Sequence, residues 1–120
     1  MAYCCEDTAP FLGKTIGTGH CVDLVKKAAK APATVAWKEG AVVKGNALLA
    51  KGTAIATFQD GKYNNRQNGD SHAALYLRQD NQAIYVVDQW LGQPVHQRPI
   101  WFRNGKSTPN NDGDIYAVIE

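Results

Sequence analysis

What the chain has little of does much of the early sorting. None of its apolar runs approaches the roughly 18–20 residues that a membrane-spanning helix needs. Its first twenty residues carry Glu6 and Asp7 and lack a positively charged start followed by an apolar stretch, so they do not read as a secretory signal. Charge of one sign is also scarce. Thirteen Lys and Arg stand against eleven Asp and Glu, a formal +2, and the cations are scattered. That excludes nucleic acid and anionic membrane as main partners. Neither a C-x-x-C nor an H-x-x-x-H spacing occurs, so no metal site and no cofactor is expected. Cysteine is limited to an adjacent pair, Cys4 and Cys5, and a lone Cys21. An odd count so unevenly spaced argues against a disulfide framework. The pair is expected to be structural or incidental, the alternative being a bond within it or to Cys21.

What is present suffices for one domain spanning residues 1–120: 44% of the residues are hydrophobic and 20% charged. The Gly-rich turn Ile16-Gly17-Thr18-Gly19-His20 runs into a segment in which Cys21, Leu24, Val25 and Ala28 share one helical stripe. Lys26, Lys27 and Lys30 suit the C-terminal end of that helix, Pro32 stops it, and Thr18 or Gly19 is expected to cap it. Short strand-like runs follow: Val42-Val43, Thr53–Phe58, His72–Leu77, Ala83–Trp90, Ile100–Phe102 and Asp114–Ile119. The third and fourth form an antiparallel hairpin about the Asp80–Gln82 turn. A polar loop from Gln59 to Ser71, with Tyr63 its one strongly apolar residue, precedes His72; loops of that length tend to carry function. Gln93–Arg98 reads as a connection and Arg103–Gly113 as a turn-rich one. A helix followed by a meander of strands is an α+β pattern.

Cys21 stands where chemistry is expected. A free thiol, with a pKa of about 8.5, is only a few per cent thiolate at neutral pH. A helix N-terminus and a nearby imidazolium each lower that value. Three histidines are available. His20 is adjacent in sequence, about 100° away around the helix start, and is badly placed as a base; it fits better as a wall of the cleft. His96 reads as an exposed loop or edge-strand residue. His72, 51 positions after Cys21, opens a strand directly after the polar loop and is the expected partner. A catalytic imidazole also needs a group that fixes its orientation. Pairing outward from the hairpin turn brings Asp88 or Gln89 beside His72, and a single-residue change of register exchanges them. Asp88 is preferred, because a carboxylate also stabilises an imidazolium. Trp37, Trp90 and the 59–71 loop are candidates for a groove wall, although a Trp at a sheet edge is more often simple packing.

The run Gly17-Thr-Gly-His-Cys-Val-Asp-Leu-Val25, with His72-Ala-Ala-Leu-Tyr and Val87-Asp-Gln-Trp90 downstream, resembles the CHAP and NlpC-type papain-like amidases of bacteria. The resemblance implies a papain-like fold with a Cys-bearing N-terminal helix packed on an antiparallel sheet. It carries over a nucleophile at Cys21, a base at His72 and a third residue at Asp88. CHAP relatives often have Gln near the nucleophile, where this chain has His20, so the resemblance does not assign the oxyanion donors. The Cys21 N–H and a second donor, from the Gly17–His20 turn, are the expected pair, with His20, Gln89 and Trp90 as further oxyanion or substrate candidates. It further implies hydrolysis of an amide bond in peptidoglycan stem peptides through a thioester. Small size and a signal-less start are similar to amidase effectors delivered by type VI secretion, which act in the periplasm and have a cognate immunity protein; without such export the chain would work in the cytoplasm. The rivals are an inactive papain-like module that binds cell-wall peptide or a protein partner, and a lipid-directed acyltransferase or thioesterase on the same fold. The polar 59–71 loop speaks against the second.

Overall fold

The computed structural model describes residues 2–65 and 69–120, so Arg66, Gln67 and Asn68 of the expected 59–71 loop lie outside the described residues. The helix, α1, spans Cys21–Ala28. Its N-cap is His20 rather than Thr18 or Gly19. Thr18 takes part from outside the helix: Asp23, in the first turn, reaches back and accepts the Thr18 N–H at 2.9 Å and its hydroxyl at 2.5 Å. This is the acid half of a capping box. α1 stops short of Lys30. The Ala29 N–H closes on the Val25 carbonyl, and Lys30 takes a φ of +60°, the left-handed reversal with which helices commonly end.

Six strands follow: β1 (Glu39–Val42), β2 (Ala54–Thr57), β3 (Ala73–Gln79), β4 (Ala83–Trp90), β5 (Gln93–Trp101) and β6 (Tyr116–Ile119). They form one antiparallel sheet in the order β1-β6-β2-β3-β4-β5. The α+β expectation therefore holds, with one α-helix and one antiparallel sheet among the described residues. Alternation along the strands divides the apolar residues between two faces. Ala54, Ala56, Leu75 and Val87 pack against Val22, Leu24 and Val25 of α1. Ile55, Tyr76, Ile84, Val86 and Ile100 form a second cluster on the other face, closed by Val43, Leu49 and Phe102. Each fully buried Val, Leu or Ile contributes about 1.5–3 kcal/mol.

The segment expected to be a connection, Gln93–Arg98, is instead the first part of the nine-residue strand β5, and His96 lies in a strand rather than a loop. Pro94 and Pro99 hide the strand in the sequence. A proline without an N–H is tolerated on β5 because β5 is a sheet edge, with only one side to pair.

The N-terminal segment is bound along β2 by Cys5 N–H to Gly52 O (2.8 Å) and Ala54 N–H to Tyr3 O (2.8 Å). Gly52 has a φ of +93°, and a Cβ there would stand 1.9 Å from the Cys5 carbonyl oxygen, so only glycine permits the approach. All three cysteines are free; the alternative of a bond between Cys4 and Cys5 or to Cys21 is not realised, and Cys5 is a core residue. Among the described residues no helix is long and apolar enough to cross a membrane.

Candidate active site

The register of the β3–β4 hairpin decides which residue meets His72. Near the turn, Gln79 pairs with Ile84 and Arg78 with Tyr85. Continued without interruption, that register would set His72 against Leu91 and make Gln89 its diagonal neighbour on the same face. The register shifts between Tyr76 and Arg78, where Leu77 is the extra residue of a bulge. Beyond it Tyr76 pairs with Val86 and Leu75 with Val87, which sets His72 against Trp90 with Asp88 on the diagonal, within reach of a long side chain. The His72 N–H donates to Thr57 Oγ1 at 3.0 Å and its carbonyl accepts the Thr57 N–H, so β2 fixes the backbone that carries the ring.

His72 Nε2 lies 2.7 Å from Asp88 Oδ2, and both side chains are buried. With Nε2 so engaged, Nδ1 is the atom left for Cys21, the ring's other hydrogen-bond partner. Cys21, at the first position of α1, is half-buried. Burial opposes a thiolate there. The hydrogen bond and charge of His72, the Tyr63 hydroxyl and the Ala73 N–H together outweigh it, and the thiol sits below its ordinary value. Burial likewise pushes His72 down, but Asp88 and Cys21 raise it to about 9. Asp88 is pulled the opposite way: burial works against its charge, yet His72 and Arg98 hold it below the usual carboxylate range. The shifts of Cys21 and His72 both run in the direction of a thiolate–imidazolium pair, with the Asp88 carboxylate behind it.

Three further side chains belong to this cluster although the sequence reading did not assign them to it. Tyr63 places its hydroxyl 3.6 Å from Cys21 Sγ while its ring packs on Trp37 and Phe58. Its pKa is raised by burial and by the Cys21 charge, so it stays protonated and can donate. The one available signal was its isolation as the strongly apolar residue of the polar loop. Arg98 Nε donates to Asp88 Oδ2 at 2.8 Å. His96, opposite Asp88 in the β4–β5 register, brings Nε2 to 3.0 Å from Oδ1, an ion-pair distance approached off the hydrogen-bond direction, since neither atom completes a hydrogen bond among the described residues. Alternation at His96 and Arg98 would have revealed both, had the prolines not masked the strand.

Gln89 does not join them. It is fully buried and faces the helix side, where Oε1 accepts the Ile16 N–H (2.9 Å) and Nε2 donates to the carbonyls of Ile16 (2.9 Å) and His20 (2.8 Å). Its amide holds the turn that aims Cys21, and so cannot serve as a donor in the groove. The Gly17–His20 turn is similarly occupied: Gly19 N–H bonds Ile16 O, and the N–H groups of Thr18 and His20 go to the Asp23 carboxylate. The N–H of Cys21, at the first helical position, has no intrahelical acceptor.

Cys21 and His72 border an open groove of about 480 Å³ whose walls include His20, Trp90, Leu91, Arg98 and the 3-10 turn Pro109–Asn111. Trp90 is 41% exposed and stands edge-on to the rings of His72 and His96, at 6.3 and 5.1 Å. Trp37 is core, its indole N–H bonded to Pro32 O at 2.8 Å, and reaches the site only through Tyr63. His20 is both N-cap and groove wall, with no place between Cys21 and Asp88.

A family model described as domesticated amidase effector 2 matches residues 1–119. A type VI secretion amidase effector 2 protein of Salmonella typhi is 42% identical over 76 residues, a match covering 62% of this chain and 56% of that protein, so the chain spans little more than half of that relative. Domesticated amidase effector 2 of Ixodes scapularis is 40% identical over 124 residues, covering 97% of this chain and 83% of that one. Among solved structures, a type 6 secretion amidase effector 2 superposes with a TM-score of 0.85 at 30% sequence identity, covering 98% of this chain and 94% of that chain. Matched by its family model over all but the last residue, the chain belongs to the domesticated amidase effector 2 family.

Proposed function

We propose that this chain is a cysteine-dependent amidase that cleaves an amide bond in peptidoglycan stem peptides, on a papain-like scaffold of the CHAP and NlpC type. The observation that carries the reading is the hydrogen-bonded chain Cys21–His72–Asp88 at the edge of an open groove, with the thiol lowered and the imidazole raised. The names of the relatives, both of them amidase effectors, support cleavage of an amide bond, and the resemblance to CHAP and NlpC-type amidases points to peptidoglycan stem peptides.

In this reading the Cys21 thiolate attacks the carbonyl carbon, and the carbonyl electron pair moves onto oxygen. The Cys21 N–H is the first donor to that oxyanion. Collapse of the tetrahedral species breaks the C–N bond, and the His72 imidazolium gives its proton to the departing amine. The acyl group remains on Cys21 as a thioester. Neutral His72 then takes a proton from water as the water attacks; the thioester carbon–sulfur bond breaks, releasing the acid and restoring the ion pair. Asp88 fixes the ring throughout.

The names of the Salmonella typhi protein and of the solved structure further support a type VI secretion effector; the resemblance to such effectors extends this to action in the periplasm of a competing bacterium and to a cognate immunity protein that covers the groove. The test is digestion of purified sacculi. Wild type should change the muropeptide profile, and Cys21→Ala should abolish the change while keeping the circular dichroism spectrum. An unchanged profile with wild type would transfer the chain to the rival reading, a module that binds wall peptide without cleaving it.

A further inference from the structure

The groove has a permanent cation that the proposed hydrolysis leaves partly unemployed. Arg98 spends Nε on Asp88, and among the described residues its two Nη groups have no protein acceptor. The side chain is 18% exposed and forms part of the groove wall, its guanidinium 5.0 Å from the centre of the Trp90 ring. That contact and the Asp88 bond hold the fork in one orientation, so little side-chain freedom remains to be lost on binding. Among the described residues no acidic side chain lines the groove; Asp88 lies beneath it, already bonded to His72 and Arg98. Asn110 and Asn111 of the turn Pro109–Asn111, both uncharged, belong to the same wall. A guanidinium with free Nη donors, among uncharged neighbours and without an exposed anion, suits a carboxylate.

We propose that Arg98 forms a carboxylate-binding subsite that holds a free carboxylate of the substrate beside the scissile amide. This deepens the amidase reading and rests on it. Stem peptides carry free carboxylates on residues that flank their amide bonds, so the subsite would select carboxylate-bearing stems over amidated ones and fix the register of the peptide against Cys21.

Because Arg98 also touches Asp88, a fall in rate alone would not separate binding from positioning; the ratio of two substrates does. Muropeptides released from sacculi are supplied with free carboxylates or after conversion of these to carboxamides. Wild type is expected to cleave the carboxylate form with a kcat/KM about 10- to 100-fold higher, the range of a charge-assisted hydrogen bond. Arg98→Lys and Arg98→Gln are expected to bring the ratio close to one, whatever they do to both rates. Wild type cleaving both forms equally would overturn the subsite and leave the amidase reading standing, as would variants that slow both substrates alike and preserve the ratio. Cleavage of neither form by wild type would sink the amidase reading and the subsite with it. Should the Arg98 variants fail to fold, the Arg98 Nε–H resonance of Cys21→Ala decides: it should respond to the carboxylate peptide and not to the carboxamide, and an equal response to both overturns the subsite.

Discussion

Asp88→Asn is the sharpest perturbation of the candidate site, because the structure lets the amide keep the shape and the hydrogen bonds while removing the charge. Oδ2 receives two donors, His72 Nε2 at 2.7 Å and Arg98 Nε at 2.8 Å, so the amide oxygen belongs in its place. The amide nitrogen then faces His96 Nε2, 3.0 Å from the Oδ1 position. What changes is the field at His72. Its rise from 6.5 to about 9 is equivalent to about 3 kcal/mol in favour of the imidazolium, gained against burial that pulls the other way. Without the carboxylate, Cys21 alone is left to offset burial, so His72 falls from about 9 toward the ordinary histidine value and the thiolate–imidazolium pair loses population at pH 7.5. We expect kcat/KM to fall about 100- to 1,000-fold, with a parallel drop in alkylation of Cys21 by iodoacetamide. Stability should change in a pH-dependent manner. The lowered carboxyl of Asp88 stabilises the fold above the unfolded carboxylate pKa and ceases to do so as pH falls through the folded value; the raised imidazole stabilises it below the unfolded histidine pKa, an effect lost as pH rises through about 9. Asp88→Asn should flatten both limbs of the stability profile. The reasoning is refuted if the variant retains activity within threefold of wild type at pH 7.5 while the His72 ring, followed by NMR, still titrates near 9.

Gln89→Leu makes the complementary prediction. It removes three hydrogen bonds to Ile16 and His20, about 1 kcal/mol each, and should lower Tm by roughly 10 °C in urea-free thermal melts while the His72 titration stays near wild type. A melting point unchanged would mean that the Ile16–His20 turn is held by something else. Tyr63→Phe keeps the ring on Trp37 and Phe58 but deletes the hydroxyl 3.6 Å from sulfur. The thiolate should lose about 1 kcal/mol of support, so alkylation at pH 6.5 slows about fivefold and the pH midpoint moves up; no movement would remove Tyr63 from the group that stabilises the thiolate.

Local signals carried much of this architecture. The stripe of Cys21, Leu24, Val25 and Ala28 places the helix and its first residue, because α1 packs on β3 and β4 with Leu24 and Val25 buried and Cys21 and Ala28 half-buried beside them. The β3–β4 hairpin could be read from β-branched and aromatic content on either side of a polar turn. Counting equal arms outward from the turn also brings Asp88 to His72, although the molecule gets there differently: its turn-side pairing is offset by one residue and the Leu77 bulge restores the count. Nothing in the run Ala73–Gln79 announces a bulge, since the cost of the extra residue is settled by what packs on each face. β5 was hidden because Pro94 and Pro99 contradict strand propensity everywhere except at an edge, and edge status is a property of the whole sheet. His96 and Arg98 were lost with it. Tyr63 could not be placed, because its contact with Cys21 joins a loop to a helix start 42 positions away.

Strand alternation assigns the two jobs of the site to opposite faces of β4. The odd positions Val87 and Gln89 face α1: one fills the core beneath it, the other clamps Ile16 and His20 and so sets where Cys21 emerges. The even positions Asp88 and Trp90 face the other way, toward His72, His96 and Arg98. A slip of one residue in this strand would fail on both counts together. It would turn the carboxylate into the apolar interior under the helix, unpaired, at a cost of several kcal/mol, and it would present His72 with a neutral amide while leaving the helix-capping turn unclamped. Thus the placement of the thiol and the orientation of the imidazole are not independent properties. They are two readings of one register, and the 51 positions that separate Cys21 from His72 are bridged by a strand that comes after both.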